Sequence, residues 1–163
     1  EECNIQVLHK NTEFIGREHV ICCPNLQGRH LKMPEKTQDY IKGVDKSFTP
    51  SKFKFEPVEG REWDNIFFLK SAQSRYYVCM KNDEYCYSEH DKPGLEGQWK
   101  LVKFEESQVL PKFLISTLKK PVHFLYLYQG WVGDWWLAGT TEIQKALDKG
   151  LWNISNVKKH KFF

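Results

Sequence analysis

With 163 residues, the chain has the length of one domain and enough material to bury a full core, and 15% of it is aromatic. Lys and Arg number 24 against 21 Asp and Glu, and the resulting net charge of +3 is too mild for the concentrated basic face of a nucleic-acid binder. No apolar run approaches the length of a membrane-spanning helix, so membrane insertion is not expected either.

In chain order, the opening EECNIQ lacks both an initiator Met and an apolar leader, as a secreted chain trimmed of its signal peptide would. NIQVLHK, from Asn4, is the first predicted strand; HVICC and HLKM supply two short apolar runs after it. The polar loop GVDKSFTPS then leads into SKFKF, in which Phe53 and Phe55 alternate with Lys54. A second series begins with NIFFLKS at Asn65, continues through YYVCM and EYCYS, crosses the loop EHDKPGLEG, and ends in QWKL with Trp99 and Leu101. A third begins with PKFLIST at Pro111 and continues through HFLYLY and DWWLAG. It crosses TTEIQKALDKG, where Thr141 as N-cap, Gln144 closing a capping box and Gly150 as terminator predict a short helix. Its ending is LWNI, with Trp152 and Ile154.

One unit is therefore written three times, over about 4–58, 63–105 and 111–157 within a single domain. The shared ending places Phe53, Trp99 and Trp152 at matching positions, and Val20-Ile21-Cys22 aligns with Tyr77-Val78-Cys79. The three rings are expected inside, where their burial contributes several kcal/mol at roughly 25 cal/mol per Å².

Twelve short strands in three units resemble the β-trefoil, an all-β fold in which outer strands build a closed barrel and inner hairpins cap it. A four-stranded unit cannot bury its apolar face alone, whereas three around an axis can, and closure removes exposed strand edges. A lipocalin-like barrel of similar length would need eight longer strands, and the triple ending argues against it.

Cysteine placement predicts a secreted, disulfide-braced protein. Cys79 and Cys86 flank a polar turn and are expected to pair, while Cys3 meets Cys22 or Cys23 across a hairpin near Asn11–Gly16. The remaining cysteine is expected as a buried thiol. Asn153-Ile154-Ser155 is an N-glycosylation sequon. Six scattered histidines and the absence of C-x-x-C pairs predict no metal site. No cofactor motif and no catalytic string such as G-x-S-x-G or H-E-x-x-H occurs, so the expected role is binding rather than catalysis.

Three surfaces are candidates. Kunitz soybean-type protease inhibitors are similar trefoils, and their inhibitory loop joins the fourth and fifth strands. That resemblance implies a protein-binding loop at Gly60, Arg61 and Glu62, with Arg61 entering the acidic pocket of a trypsin-like serine protease. Ricin-type lectins resemble the chain in ending each unit on a tryptophan, with Gln two places earlier. Here Gln98 directly precedes Trp99, while Ser51 and Gly150 stand two places before the other rings, so the lectin residues do not carry over. An independent glycan candidate is GWVGDWWLAG, where Trp131 or Trp135 could stack on a sugar and Asp134 accept its hydroxyls. Against that, Trp135 and Trp136 are adjacent in a strand and must point to opposite faces. The third surface is a basic patch of Lys158, Lys159 and Lys161, with His160 among them, which would be fit for a sulfated glycan or an acidic protein if it converges with Lys119–Lys120 in their turn. The expectation is a monomeric, non-enzymatic extracellular binding protein. Its partner would be an extracellular protein, such as the target of a coagulation-type serine protease inhibitor in an animal secretion, with a glycan as the alternative.

Overall fold

The computed structural model describes residues 14–61, 64–105 and 111–156. Among them stand twelve strands and one α-helix, in three successive sets of four strands. The first set is β1 (Glu18–Cys23), β2 (Arg29–Lys32), β3 (Lys42–Val44) and β4 (Phe53–Pro57). The second is β5 (Ile66–Ser71), β6 (Tyr77–Met80), β7 (Cys86–Glu89) and β8 (Gln98–Glu105). The third is β9 (Lys112–Thr117), β10 (Phe124–Gln129), β11 (Trp135–Thr140) and β12 (Asn153–Asn156), with helix α1 (Ile143–Lys149) before the last strand.

The first and fourth strands of the units join in a ring. β1 pairs with β12 and β4, β4 with β5, β5 with β8, and β8 with β9. Two bonds of 2.9 Å between Phe113 and Trp152, N–H to carbonyl in each direction, close it. Alternation sets which side chains turn inward: along β1, His19, Ile21 and Cys23 are buried and their neighbours half-buried.

Phe53, Trp99 and Trp152 are each 0% exposed and share one core cluster, as the triple ending predicts. An indole buried this deeply needs an acceptor. Trp99 Nε1 donates to the Val78 carbonyl on β6 at 3.0 Å, and Trp152 Nε1 to the Leu125 carbonyl on β10 at 3.3 Å. Phenylalanine in the first unit has no such donor. There the corresponding Leu31 carbonyl on β2 accepts the Ser51 amide instead, at 3.2 Å. The small residue two places before each ring follows from the same packing. A Cβ at Gly150 would lie 2.2 Å from the Leu125 carbonyl oxygen that Trp152 uses.

Four sequence expectations need correction. Val20–Cys22 lies on an outer strand and matches β5, not Tyr77–Cys79 on β6; the first unit is β1–β4, and NIQVLHK lies outside the described residues. The missed strand is β3, only Lys-Gly-Val, in which Gly43 is required because a Cβ would meet Leu127 Cδ1 at 2.6 Å. The helix is not capped by Thr141. Its N-cap is Glu142, whose amide donates to Thr140 Oγ1 at 3.0 Å, and Gln144 Nε2 reaches Asp148 Oδ1 at 3.0 Å rather than closing a box. Gly150 ends the helix as expected.

The fourth correction concerns Cys79 and Cys86. The β6–β7 register sets Cys79 opposite Tyr87 and Cys86 opposite Met80. The two cysteines therefore face opposite sides of the hairpin, Cys86 in the main core and Cys79 in a small cluster with Phe68 and Tyr77. Both are free thiols, as are Cys22 and Cys23. Cys3 and its expected bridge lie outside the described residues.

Candidate binding site on the hairpin cap

The second and third strands of each unit form hairpins that meet at one end of the molecule. Three pairings join them with threefold regularity: Tyr40 with Tyr87, Tyr85 with Ala138, and Trp136 with Lys42. In each, the residue before an inward core side chain of one unit meets the residue after the corresponding side chain of the next. Those core residues are Ile41, Cys86 and Leu137, all 0% exposed. Tyr40, Tyr85 and Trp136 are thus equivalent positions around the pseudo-threefold axis, and alternation turns all three away from the core.

They collect further rings. Tyr40 lies edge-on to Tyr85 at 5.7 Å and to Trp136 at 5.2 Å, and at 4.8 Å from Tyr87. Tyr85 lies edge-on to Tyr128 at 6.1 Å. With Gly130 and Trp131, four of these rings line an open hollow of about 370 Å³ (Tyr40, Tyr85, Tyr128 and Trp136) whose lining contains no carboxylate. Trp131 is 101% exposed and Val132 85%, so the β10–β11 turn raises an apolar knob beside the hollow.

Two of the phenols, Tyr85 and Tyr87, hold their protons more tightly than a free phenol. Desolvation, then Tyr128 and Tyr40, raise the Tyr85 phenol; desolvation and the Asp83 hydrogen bond raise that of Tyr87. Carboxylates around the cap are engaged in holding it together. Asp39 Oδ1 accepts the Tyr40 amide at 2.8 Å, and Asp83 accepts the Tyr85 amide at 3.0 Å and the Tyr87 hydroxyl. Lys42 Nζ sits 5.1 Å from the centre of the Trp136 ring. Rings with exposed edges and faces, three phenolic hydroxyls and a rim ammonium can hold a ring-shaped polar ligand by stacking and a few hydrogen bonds.

Of the sequence candidates, Trp131 belongs to this site. Trp135 does not: it packs partly buried against the core, with Arg29 and Lys149 over its ring at 5.3 and 5.9 Å. Asp134 is exposed on the turn, its carbonyl accepting the Gly130 amide at 2.7 Å, and it does not line the hollow. Trp136, Tyr40, Tyr85 and Tyr128 were missed. The signal for Tyr40, Tyr85 and Trp136 was present in DY, EY and DWW, each just before a core residue at a third strand, whereas Tyr128 stands among the alternating residues of β10.

Arg61 stands in a tight turn, not on an extended loop. Its amide donates to the Val58 carbonyl at 2.9 Å, Gly60 takes φ +80, and its guanidinium Nε pairs with Asp64 Oδ2 at 2.8 Å. Glu62 lies outside the described residues, as do Lys158, Lys159, His160 and Lys161. Asn153 lies on β12 opposite Cys22, half-buried with its Oδ1 covered. Lys119 lines both of two adjoining hollows of about 440 and 320 Å³ and Lys120 the smaller, and acidic and basic groups face one another there. Lys81 pairs with Glu89 at 3.5 Å there, and His123 Nε2 with Glu84 at 3.1 Å. Among the described residues, no group of three His, Cys, Asp or Glu side chains is placed to hold a metal ion.

No family model matches the chain, and no curated protein resembles it in sequence. Solved structures do match in shape. A mosquitocidal holotoxin superposes with a TM-score of 0.70 at 10% identity, over 88% of this chain and only 18% of the toxin chain. A chain of the cytolethal distending toxin from Actinobacillus actinomycetemcomitans gives 0.69 at 9% identity, over 90% of this chain and 95% of that one. The BEL beta-trefoil gives 0.63 at 14% identity, over 88% and 94%. Likeness at such low identity speaks for architecture alone. With three four-stranded units, a ring of outer strands and three converging hairpins, the fold of this chain is a β-trefoil.

Proposed function

We propose that the protein is a non-enzymatic, extracellular binding protein that holds a glycan on the aromatic cap at its pseudo-threefold axis. One observation carries this reading: the three units bring Tyr40, Tyr85 and Trp136 together, with Tyr128 and the fully exposed Trp131, around a hollow that the described residues leave uncovered. Burying these rings would have been the favourable choice for a chain that had no use for them. Because the hollow lies on the axis and draws on all three units, it takes one ligand per chain, not one per unit.

A titration with neutral and acidic oligosaccharides by isothermal calorimetry tests the reading. Saturable binding at one site per chain, weakened several-fold or more by Tyr128→Ala and by Trp131→Ala, is the expected result. Failure of every sugar to bind would overturn it.

The exposed Trp131–Val132 knob favours a second reading, in which the cap anchors an extracellular protein, since exposed aromatic side chains dominate such interfaces. Silence across the sugars, with loss of a plasma protein partner on Trp131→Ala, would select it. A serine-protease inhibitor acting through Arg61 is less well supported, because Asp64 braces that side chain and its turn is short.

A further inference from the structure

We infer that the ligand of the aromatic cap is an acidic glycan, whose carboxylate or sulfate group is received by Lys42. This rests on the stacking reading and adds the ligand's charge to it. Lys42 is exposed on β3 and stands over Trp136, one of the rings lining the hollow, with its Nζ 5.1 Å from the ring centre. Among the described residues no carboxylate pairs with it. The nearby carboxylates stand outside the lining of the hollow. Asp39 and Asp83 accept hydrogen bonds that shape the strand and turn carrying Tyr40, Tyr85 and Tyr87. Lys81, over the Tyr87 ring at 4.8 Å, also meets Glu89. Asp134 is on the β10–β11 turn but outside the lining of the hollow.

The site is therefore an aromatic floor whose lining holds no carboxylate, with the exposed Lys42 ammonium over one of its rings. A neutral sugar would use the floor and leave Lys42 idle. An acidic sugar would use both: its ring lies against the aromatic side chains, and its anionic substituent makes a charge-assisted hydrogen bond that leaves the indole contact in place. A cationic ligand would meet the Lys42 charge as a repulsion.

Three tetrasaccharides of similar length provide the test: uncharged chitotetraose, a hyaluronan tetramer carrying only uronate, and a chondroitin sulfate tetramer carrying uronate and sulfate. Each is titrated calorimetrically into the wild type, Lys42→Gln, Lys42→Arg and Tyr128→Ala at low and at physiological salt. Acidic tetramers are expected to bind about tenfold tighter than chitotetraose. Lys42→Gln should remove that preference, Lys42→Arg should keep most of it, and added salt should weaken only the acidic ligands. The two acidic probes tell whether carboxylate alone suffices or sulfate is needed. Tyr128→Ala should weaken all three. Equal binding of neutral and acidic tetramers, with Lys42→Gln silent, would overturn the acidic assignment and leave stacking intact. Absence of binding by all three would overturn the stacking reading and this inference with it.

Discussion

Replacing Trp99 by Phe removes a single buried donor from the core. The indole N–H lost is the one bonded to the Val78 carbonyl at 3.0 Å, inside a ring that is 0% exposed. In the first unit, where Phe53 already occupies the matching place, the corresponding carbonyl is satisfied by the Ser51 amide. That remedy is closed in the second unit, because the Gly97 amide is committed to the Gly94 carbonyl at 3.1 Å. A Cβ at Gly97 would also lie 2.2 Å from Pro93 Cγ, so the segment has little room to shift. Leaving the Val78 carbonyl short of a partner costs about 1–3 kcal/mol. The smaller ring adds about 1 kcal/mol of lost apolar burial. A destabilisation of about 2–4 kcal/mol is expected, visible in urea unfolding as a lower midpoint at unchanged slope, with a Tm lower by roughly 4–16 °C. Trp152→Phe should cost less, since its bond to Leu125 is longer at 3.3 Å. A Trp99→Phe loss below about 0.5 kcal/mol would refute the reasoning that this donor holds the second unit to the core.

Other consequences follow from the same packing. Gly43→Ala should destabilise by about 1–3 kcal/mol, because the new Cβ collides with the buried Leu127 side chain; a neutral effect in urea unfolding would mean that β3 and β10 are less tightly apposed. Burial pushes the Cys79 thiol up to about 12, with Glu89 and Glu96 adding to it, and the Cys23 thiol up to about 11. Cys79 should therefore resist iodoacetamide at pH 8 in the native state, and both Cys79 and Cys86 should alkylate without reductant once unfolded; a peptide linking the two would contradict the register. The same shifts hold protons on the native state that the unfolded chain releases, so stability should decline as pH rises from about 9 toward 12. Arg61→Ala should change stability by under about 0.5 kcal/mol, because its ion pair with Asp64 is 46% and 51% exposed.

The sequence disclosed the fold through its most constrained positions. Phe53, Trp99 and Trp152 recur because each must fill the same core place, and a ring that size leaves a legible trace. The first unit was read one strand out of step because β3 is a three-residue strand built on a glycine, which carries almost no strand signal. The Cys79–Cys86 expectation failed by one residue of register. A two-residue turn at Asn82–Asp83 would have set the cysteines face to face. The actual turn has three residues, with Glu84 at φ +71 and the Lys81 amide bonded to the Tyr85 carbonyl at 3.0 Å. A slip of one residue changes the face of every side chain. The cap was hidden for a different reason. Tyr40, Tyr85 and Trp136 are far apart in the chain and meet only because three hairpins converge, and a lone Tyr before an apolar residue reads as ordinary strand. Trp131 was legible as a candidate; its neighbours in space were not.

Nitrogen-15 NMR of the tryptophan side chains gives the most direct test of a ligand seated on the pseudo-threefold axis. On adding the hyaluronan or chondroitin sulfate tetramer, the indole N–H signals of Trp131 and Trp136 are expected to move together and saturate at one equivalent. Those of Trp99 and Trp152, buried and bonded to Val78 and Leu125, should stay in place. Unmoved Trp131 and Trp136 signals, with shifts confined to amides around Arg61–Asp64 or the hollow near His123, would contradict a site on the aromatic cap.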